Sequence, residues 1–213
     1  MAKSLYNKDS TKALEARARV LNIIDSVTPQ ELVTAIKNAP SLRGMILGYI
    51  AELKFKEFLS THSEFKDLFK PDDHDRKNNK IDMGFTYRDR LVTFQLKSIQ
   101  TNSIATRVLD DKLIAKVQND GSDKRLVVLP NGHEVETTNY RVGDYDVLAV
   151  PLFPFTGKWD FAFKLNRECR TTTSKKYSVE DQQFLLSTME DIEYPLNAPW
   201  TTDIFRVIGR LED

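Results

Sequence analysis

Apolar residues recur at helical spacing through the first 60 positions and at alternate positions through much of the middle of the chain. In DSTKALEARARVLNIIDSV, Leu14, Ala18, Leu21 and Ile24 fall on one helical face. Asp9 or Ser10 stands where an N-cap is needed. Thr28, followed by Pro29 and then by Glu31, has the pattern of a capping box with proline at the first helical position. Pro40 ends that second helix. A third is predicted from near Ser41 through SLRGMILGYIAELKFKEFLS, with Leu42, Ile46, Tyr49, Ile50 and Leu53 on one face. Helices joined by short turns fit a helix-turn-helix, although a plain helical hairpin is the commoner arrangement.

The period then changes. Residues 81–98, IDMGFTYRDRLVTFQLKS, read as two strands folded on each other. Val92, Phe94 and Leu96 share one face of the second strand, and Thr93, Gln95 and Lys97 share the other. Asp82 stands opposite Ile81, Met83 and Phe85 on the first strand. Residues 101–170 are predicted mostly β. Two strand-like runs flank Pro130-Asn131-Gly132, a hairpin signal. DYDVLAVPLF holds a continuous apolar run, as a buried strand does, and KWDFAFKL alternates. Ser178, with acids in the turn after it, is placed to cap a helix over SVEDQQFLLSTM.

At 213 residues, 40% of them hydrophobic, the chain can bury one good core, so one domain with a helical extension is expected. Lysine plus arginine equals aspartate plus glutamate at 31 each, so net charge gives no vote for a nucleic-acid partner. The single cysteine, Cys169, excludes an internal disulfide and a cysteine-based metal cluster, and suits a reducing compartment. The first 20 residues hold no apolar run of signal-peptide type, and no stretch is of membrane-crossing length. A cytoplasmic protein is expected.

Two places carry candidate chemistry. Asp72, Asp73, His74 and Asp75 are all metal-ligand types, but four in a row cannot all face one ion from regular structure, and a solvated loop is the simpler account. His62 and His133 sit in polar contexts that suggest nothing specific. The hairpin holds more. Asp82 offers a carboxylate, Gln95 an amide oxygen and Leu96 a main-chain carbonyl, all suited to a hard cation such as magnesium. Lys97 points to the same side as Gln95, where an amine can orient a water and stabilise it as it becomes hydroxide. An ordinary solvated strand face fits the same residues.

Residues 52–97 resemble the PD-(D/E)XK nuclease superfamily, which includes most restriction endonucleases. The resemblance lies in a helix acid, Glu52 in RGMILGYIAELKFKEFL; an aspartate on one strand, Asp82 in KIDMGF; and an acid-or-glutamine, any residue, lysine pattern on the next, Gln95 and Lys97 in FQLKS. The longer run from Arg43 to Phe153 looks like restriction-endonuclease-like proteins. Two departures stand out. Pro71-Asp72 is too far from the hairpin to supply the motif's acid, and Gln95 replaces an acid with a neutral amide.

The resemblance implies an α+β fold of restriction-endonuclease type. Its central mixed sheet would be flanked by helices, with a helical extension over 1–40, a nuclease domain over 41–213 and a β-rich DNA-reading insertion over 101–142. It implies Mg2+ held by Asp82, Gln95, Leu96 and Glu52, with Glu52, Asp82, Gln95 and Lys97 as catalytic residues. The implied activity is hydrolysis of double-stranded DNA at a specific site by a homodimer, with a DNA methyltransferase as a possible companion. Homing or repair nucleases, or a DNA-binding module with a decayed site, are the alternatives. Candidate DNA contacts are Arg43, Ser98, Gln100, Asn102, Ser122, Asp123, Lys124, Arg125 and Asn131, with Thr101, Ser103, Arg107 and Thr137 nearby. Such side chains bond to phosphates and base edges, and two-stranded ribbons enter the major groove. An exposed polar hairpin is the plainer reading of the same residues.

Overall fold

The computed structural model describes residues 10–71 and 81–211. The Asp72–Asp75 stretch lies outside the described residues. The chain divides into two compact units, Met1–Leu47 and Gly48–Asp213.

Helices α1 (Thr11–Leu21) and α2 (Pro29–Asn38) belong to the first unit. Ser10 caps α1 through its side chain. Thr28 and Glu31 close the expected capping box on α2, with Pro29 opening the helix. Leu14 and Ala18, expected on the apolar face of α1, are exposed, Leu14 by 51%. Helix α3 (Pro40–Ser60) begins in the first unit and ends in the second.

The second unit is built on a five-stranded mixed sheet. Its strands are β1 (Lys66–Phe69), β2 (Met83–Tyr87), β3 (Arg90–Leu96), β8 (Val147–Pro151) and β9 (Phe161–Leu165), lying side by side in that order. All neighbours are antiparallel except β3 and β8. Between β3 and β8 the chain makes β4 (Ala105–Thr106), β5 (Leu113–Gln118), β6 (Asp120–Val128) and β7 (Glu134–Asn139). A short helix α4 (Phe153–Thr156) links β8 to β9, and after β9 come α5 (Val179–Gln182), β10 (Met189–Tyr194) and α6 (Ile204–Gly209). β10, β5 and β4 form a three-stranded sheet, and β6 and β7 a ribbon.

Alternation along the strands gives the main sheet two buried faces. Met83, Phe85, Val92, Phe94, Val147, Ala149, Phe161 and Phe163 pack with Ala51, Phe55 and Leu59 of α3 and with Ile204, Val207 and Ile208 of α6. Leu148, Val150 and Ala162, from the opposite face, pack with Ala115 and Val117 of β5 and Ile192 of β10. The fold is therefore α+β, a central mixed sheet with helices on one side and a smaller sheet on the other.

Two sequence expectations are corrected. The core face of α3 is Ala51, Phe55 and Leu59, while Tyr49 and Leu53 are 46% and 62% exposed. Apolar residues lie nearly all round this helix, so periodicity alone cannot choose a face. The helix expected over SVEDQQFLLSTM stops at Gln182. Leu185 and Leu186 are fully buried, and their main chain bridges to Arg141 and Thr171. That pairing pulls the segment out of the helix and leads it into β10, a strand the sequence did not announce.

Candidate functional site

The β2–β3 hairpin turns through Arg88 and Asp89, both in the left-handed region (φ 48° and 61°). That is the geometry of a two-residue turn whose twist matches its strands. Register follows from it: Met83 faces Phe94 and Phe85 faces Val92. One residue before β2, Asp82 donates its main-chain N–H to Phe94 O at 2.8 Å. Its side chain is thereby fixed beside the end of β3. Ile81 does not share the Met83–Phe85 face; it packs with the opposite cluster.

Two donors converge on Asp82 Oδ2. One is the Leu96 N–H at 2.8 Å, and the other is the Gln95 amide Nε2. Gln95 is only 3% exposed. Its amide turns Nε2 toward the carboxylate, which leaves Oε1 buried without a hydrogen-bond partner. A buried oxygen left in that condition costs about 1–3 kcal/mol.

Lys97 follows directly. Its N–H donates to Ala149 O of β8 at 3.0 Å, and its Nζ donates to Asp120 O at the start of β6, at 2.9 Å. The same ammonium lies 5.2 Å from the centre of the buried Tyr140 ring, and the Arg125 guanidinium lies 5.1 Å from that ring. Helix α3 contributes Glu52, next in the chain to the buried Ala51. Lys70, just past β1, brings its Nζ to 2.7 Å from Glu52 Oε2. That oxygen makes no hydrogen bond, so the contact is an ion pair.

These groups shift one another. Loss of water pushes the Asp82 carboxyl up to about 6, against the pull of Lys97, the Leu96 N–H and Lys70, while Glu52 adds to the rise. Burial lowers the Lys97 ammonium below the ordinary lysine range, opposed by Asp82, Asp120 and Glu52. Burial raises the Tyr140 hydroxyl. Cys169, by contrast, is buried with its thiol pushed up to about 12, which makes it an inert core residue.

The donor set suits a hard divalent ion. Asp82 supplies a carboxylate, the buried Gln95 Oε1 has an unused acceptor, and the Leu96 carbonyl follows Gln95 along the same strand. Among the described residues, no three His, Cys, Asp or Glu side chains gather into a metal cluster. Any ion here would therefore depend on the amide oxygen as well as the acids.

The expected site residues Glu52, Asp82, Gln95, Leu96 and Lys97 are thus brought into one neighbourhood. Lys70, Asp120 and Tyr140 join them. No sequence signal marks these three, because each comes from a separate element.

The expected DNA contacts are more scattered. Arg43 is exposed in the first turn of α3, within the first unit. Asn102, Asp123, Lys124 and Asn131 are exposed, and Ser98 and Gln100 are partly so. Gln100 bonds to Gln118 and Asn131 to Asp181. The Ser122 side chain lies outside the described residues. Arg125 is turned inward to Asp144 and the Asn139 carbonyl, each at 3.2 Å. Arg107 is held by Asp110 and Glu193. Thr137 is fully buried and bonded to Tyr177, because its position on β7 faces the core and not the open side of the ribbon.

No family model and no curated protein matches this chain. Among solved structures it is similar to a bacterial homing endonuclease, I-Ssp6803I, with 15% identity and a TM-score of 0.34 over 65% of this chain and 85% of that one.

Proposed function

We propose that this chain is a magnesium-dependent nuclease that hydrolyses phosphodiester bonds of double-stranded DNA, in the manner of a type II restriction endonuclease. One observation carries the reading. A carboxylate, a buried amide oxygen without a partner and a desolvated lysine meet at the end of a central strand.

Asp82, Gln95 and the Leu96 carbonyl would hold the ion, with Glu52 adding charge nearby. Bound there, magnesium supplies Lewis-acid polarisation of a phosphoryl oxygen. Lys97 supplies the complementary work. Its ammonium is fixed by Asp120 O and by the Tyr140 face, so it is placed to orient a water and to stabilise negative charge as that water loses its proton. Desolvation lowers the lysine below its ordinary range, which makes its proton easier to give up. The exposed polar positions of the β6–β7 ribbon, Asp123 and Lys124 among them, would face the duplex. Cutting both strands of a palindromic site requires two such centres, hence a homodimer, and a DNA methyltransferase would protect the host's own sites.

The neutral Gln95 also fits a second reading, a DNA-binding module whose site has decayed. Supercoiled plasmid incubated with the protein and magnesium separates the two. We expect linear or nicked product that disappears with EDTA, with Asp82→Ala and with Lys97→Ala, while retardation of DNA in gels survives both substitutions. Binding without cleavage at any magnesium concentration would leave the decayed module.

A further inference from the structure

We infer that Lys70 is a built-in cation that occupies the place beside Glu52 and restricts this site to a single divalent ion. The inference rests on the magnesium reading above.

Lys70 Nζ sits 2.7 Å from a Glu52 oxygen that makes no hydrogen bond. It also lies 5.9 Å from the Tyr49 ring centre, one turn back along α3 from Leu53, so the ammonium is flanked by a π face as well as by the acid. Glu52 and Lys70 are both partly shielded, with side chains 23% and 34% exposed. An ion pair in that setting is screened less than one on an open surface.

Occupancy of Glu52 makes the restriction. Glu52 and Asp82 carry two negative charges, and Lys70 and Lys97 carry two positive ones, so these four charges balance before any metal arrives. Asp120 and Arg125 also act on Lys97, in opposite directions. One divalent ion at Asp82 and Gln95 leaves an excess of two, a charge that a phosphodiester partly offsets. A second divalent ion would need Glu52 as its charged ligand. It would have to displace an ammonium already in contact with that carboxylate. Lys70 thereby does for Glu52 what a second ion would do elsewhere, at half the charge and without being lost to a chelator. Asp82 feels it as well, since Lys70 favours its ionised form.

The test counts ions directly. Manganese, which takes the same oxygen ligands as magnesium, is titrated into full-length wild type, Lys70→Met, Lys70→Arg and the double variant Glu52→Gln/Lys70→Met, and free ion is read by electron paramagnetic resonance. We expect one ion per chain in the wild type and in Lys70→Arg, two in Lys70→Met, and one again in the double variant, because the second ion needs Glu52. One ion in Lys70→Met, with circular dichroism like that of the wild type, overturns the inference and leaves the nuclease reading standing. Two ions in the wild type also overturn it. No ion in the wild type overturns the magnesium reading and this inference together. If Lys70→Met fails to fold, Lys70→Gln takes its place, with two ions expected and one overturning the inference.

Discussion

Replacing Asp82 with asparagine should stabilise the metal-free protein at pH 8, and the gain should vanish in acid. Asp82 titrates near 3.8 in the unfolded chain but near 6 in the folded one. Across that window the folded state holds a proton that the unfolded state has released, so wild-type stability falls as pH rises. In Asp82→Asn a side-chain oxygen can still accept from the Leu96 N–H and the Gln95 amide, and the group no longer titrates. A tenfold change in proton affinity is worth about 1.4 kcal/mol, so the gap between variant and wild type should open by about 2.5 kcal/mol from pH 4 to pH 8. That figure is an upper value, because Asp82 keeps some contact with solvent. Urea unfolding in EDTA at five pH values measures it. Adding magnesium should close the gap from the other side, because the proposed ion would bind the wild-type carboxylate. A gap that stays flat with pH, or one that opens in acid, refutes the claim that burial of an ionised Asp82 destabilises the metal-free fold.

The same rise makes metal affinity depend on pH: calcium binding to the wild type, measured by calorimetry, should strengthen about tenfold per pH unit up to pH 6 and then level off. Gln95→Glu should raise calcium affinity while lowering metal-free stability by roughly 1–3 kcal/mol, since it places a second carboxylate against Asp82; calcium titrations that superimpose on the wild type would take Gln95 out of the ion's reach. Phe55→Ala should cost about 3–5 kcal/mol in denaturant unfolding, because Phe55 is fully buried against Phe94, Phe161 and Phe163. Lys164→Met should cost about 3–5 kcal/mol by stranding Glu190, which is 1% exposed, and Lys164→Met/Glu190→Leu should recover part of it.

The centre of the candidate site was legible in the sequence because its geometry is local. A two-residue turn and strict alternation fix which residues of β2 and β3 oppose each other, so Asp82, Gln95 and Lys97 could be placed together from the chain alone. The helix capping box was legible for the same reason. What failed depends on distant partners. The buried face of α3 is chosen by the phenylalanines of β3 and β9, and nothing within the helix distinguishes Phe55 from Leu53. The segment after Gln182 gives up a helix to bond with main chain more than 40 residues earlier. Lys70 and Tyr140 reach the site only through the packing of β1 and of the chain leaving β7, and a lysine before a proline or a tyrosine after a strand carries no mark of that destination.

The parallel pairing of β3 with β8 sets an order of events during synthesis. Gln95 and Leu96 pair with Leu148 and Ala149, more than 50 residues later in the chain. The hairpin that joins Asp82 to Gln95 is complete once Leu96 has emerged from the ribosome, and hairpins close in about 1–10 μs. Lys97 must wait for Asp120, Tyr140 and Ala149, which follow over several seconds at roughly 5–20 residues per second. A growing chain therefore carries the Asp82–Gln95 pair well before it has an anchored amine beside it. The two halves come together only when the central sheet is whole.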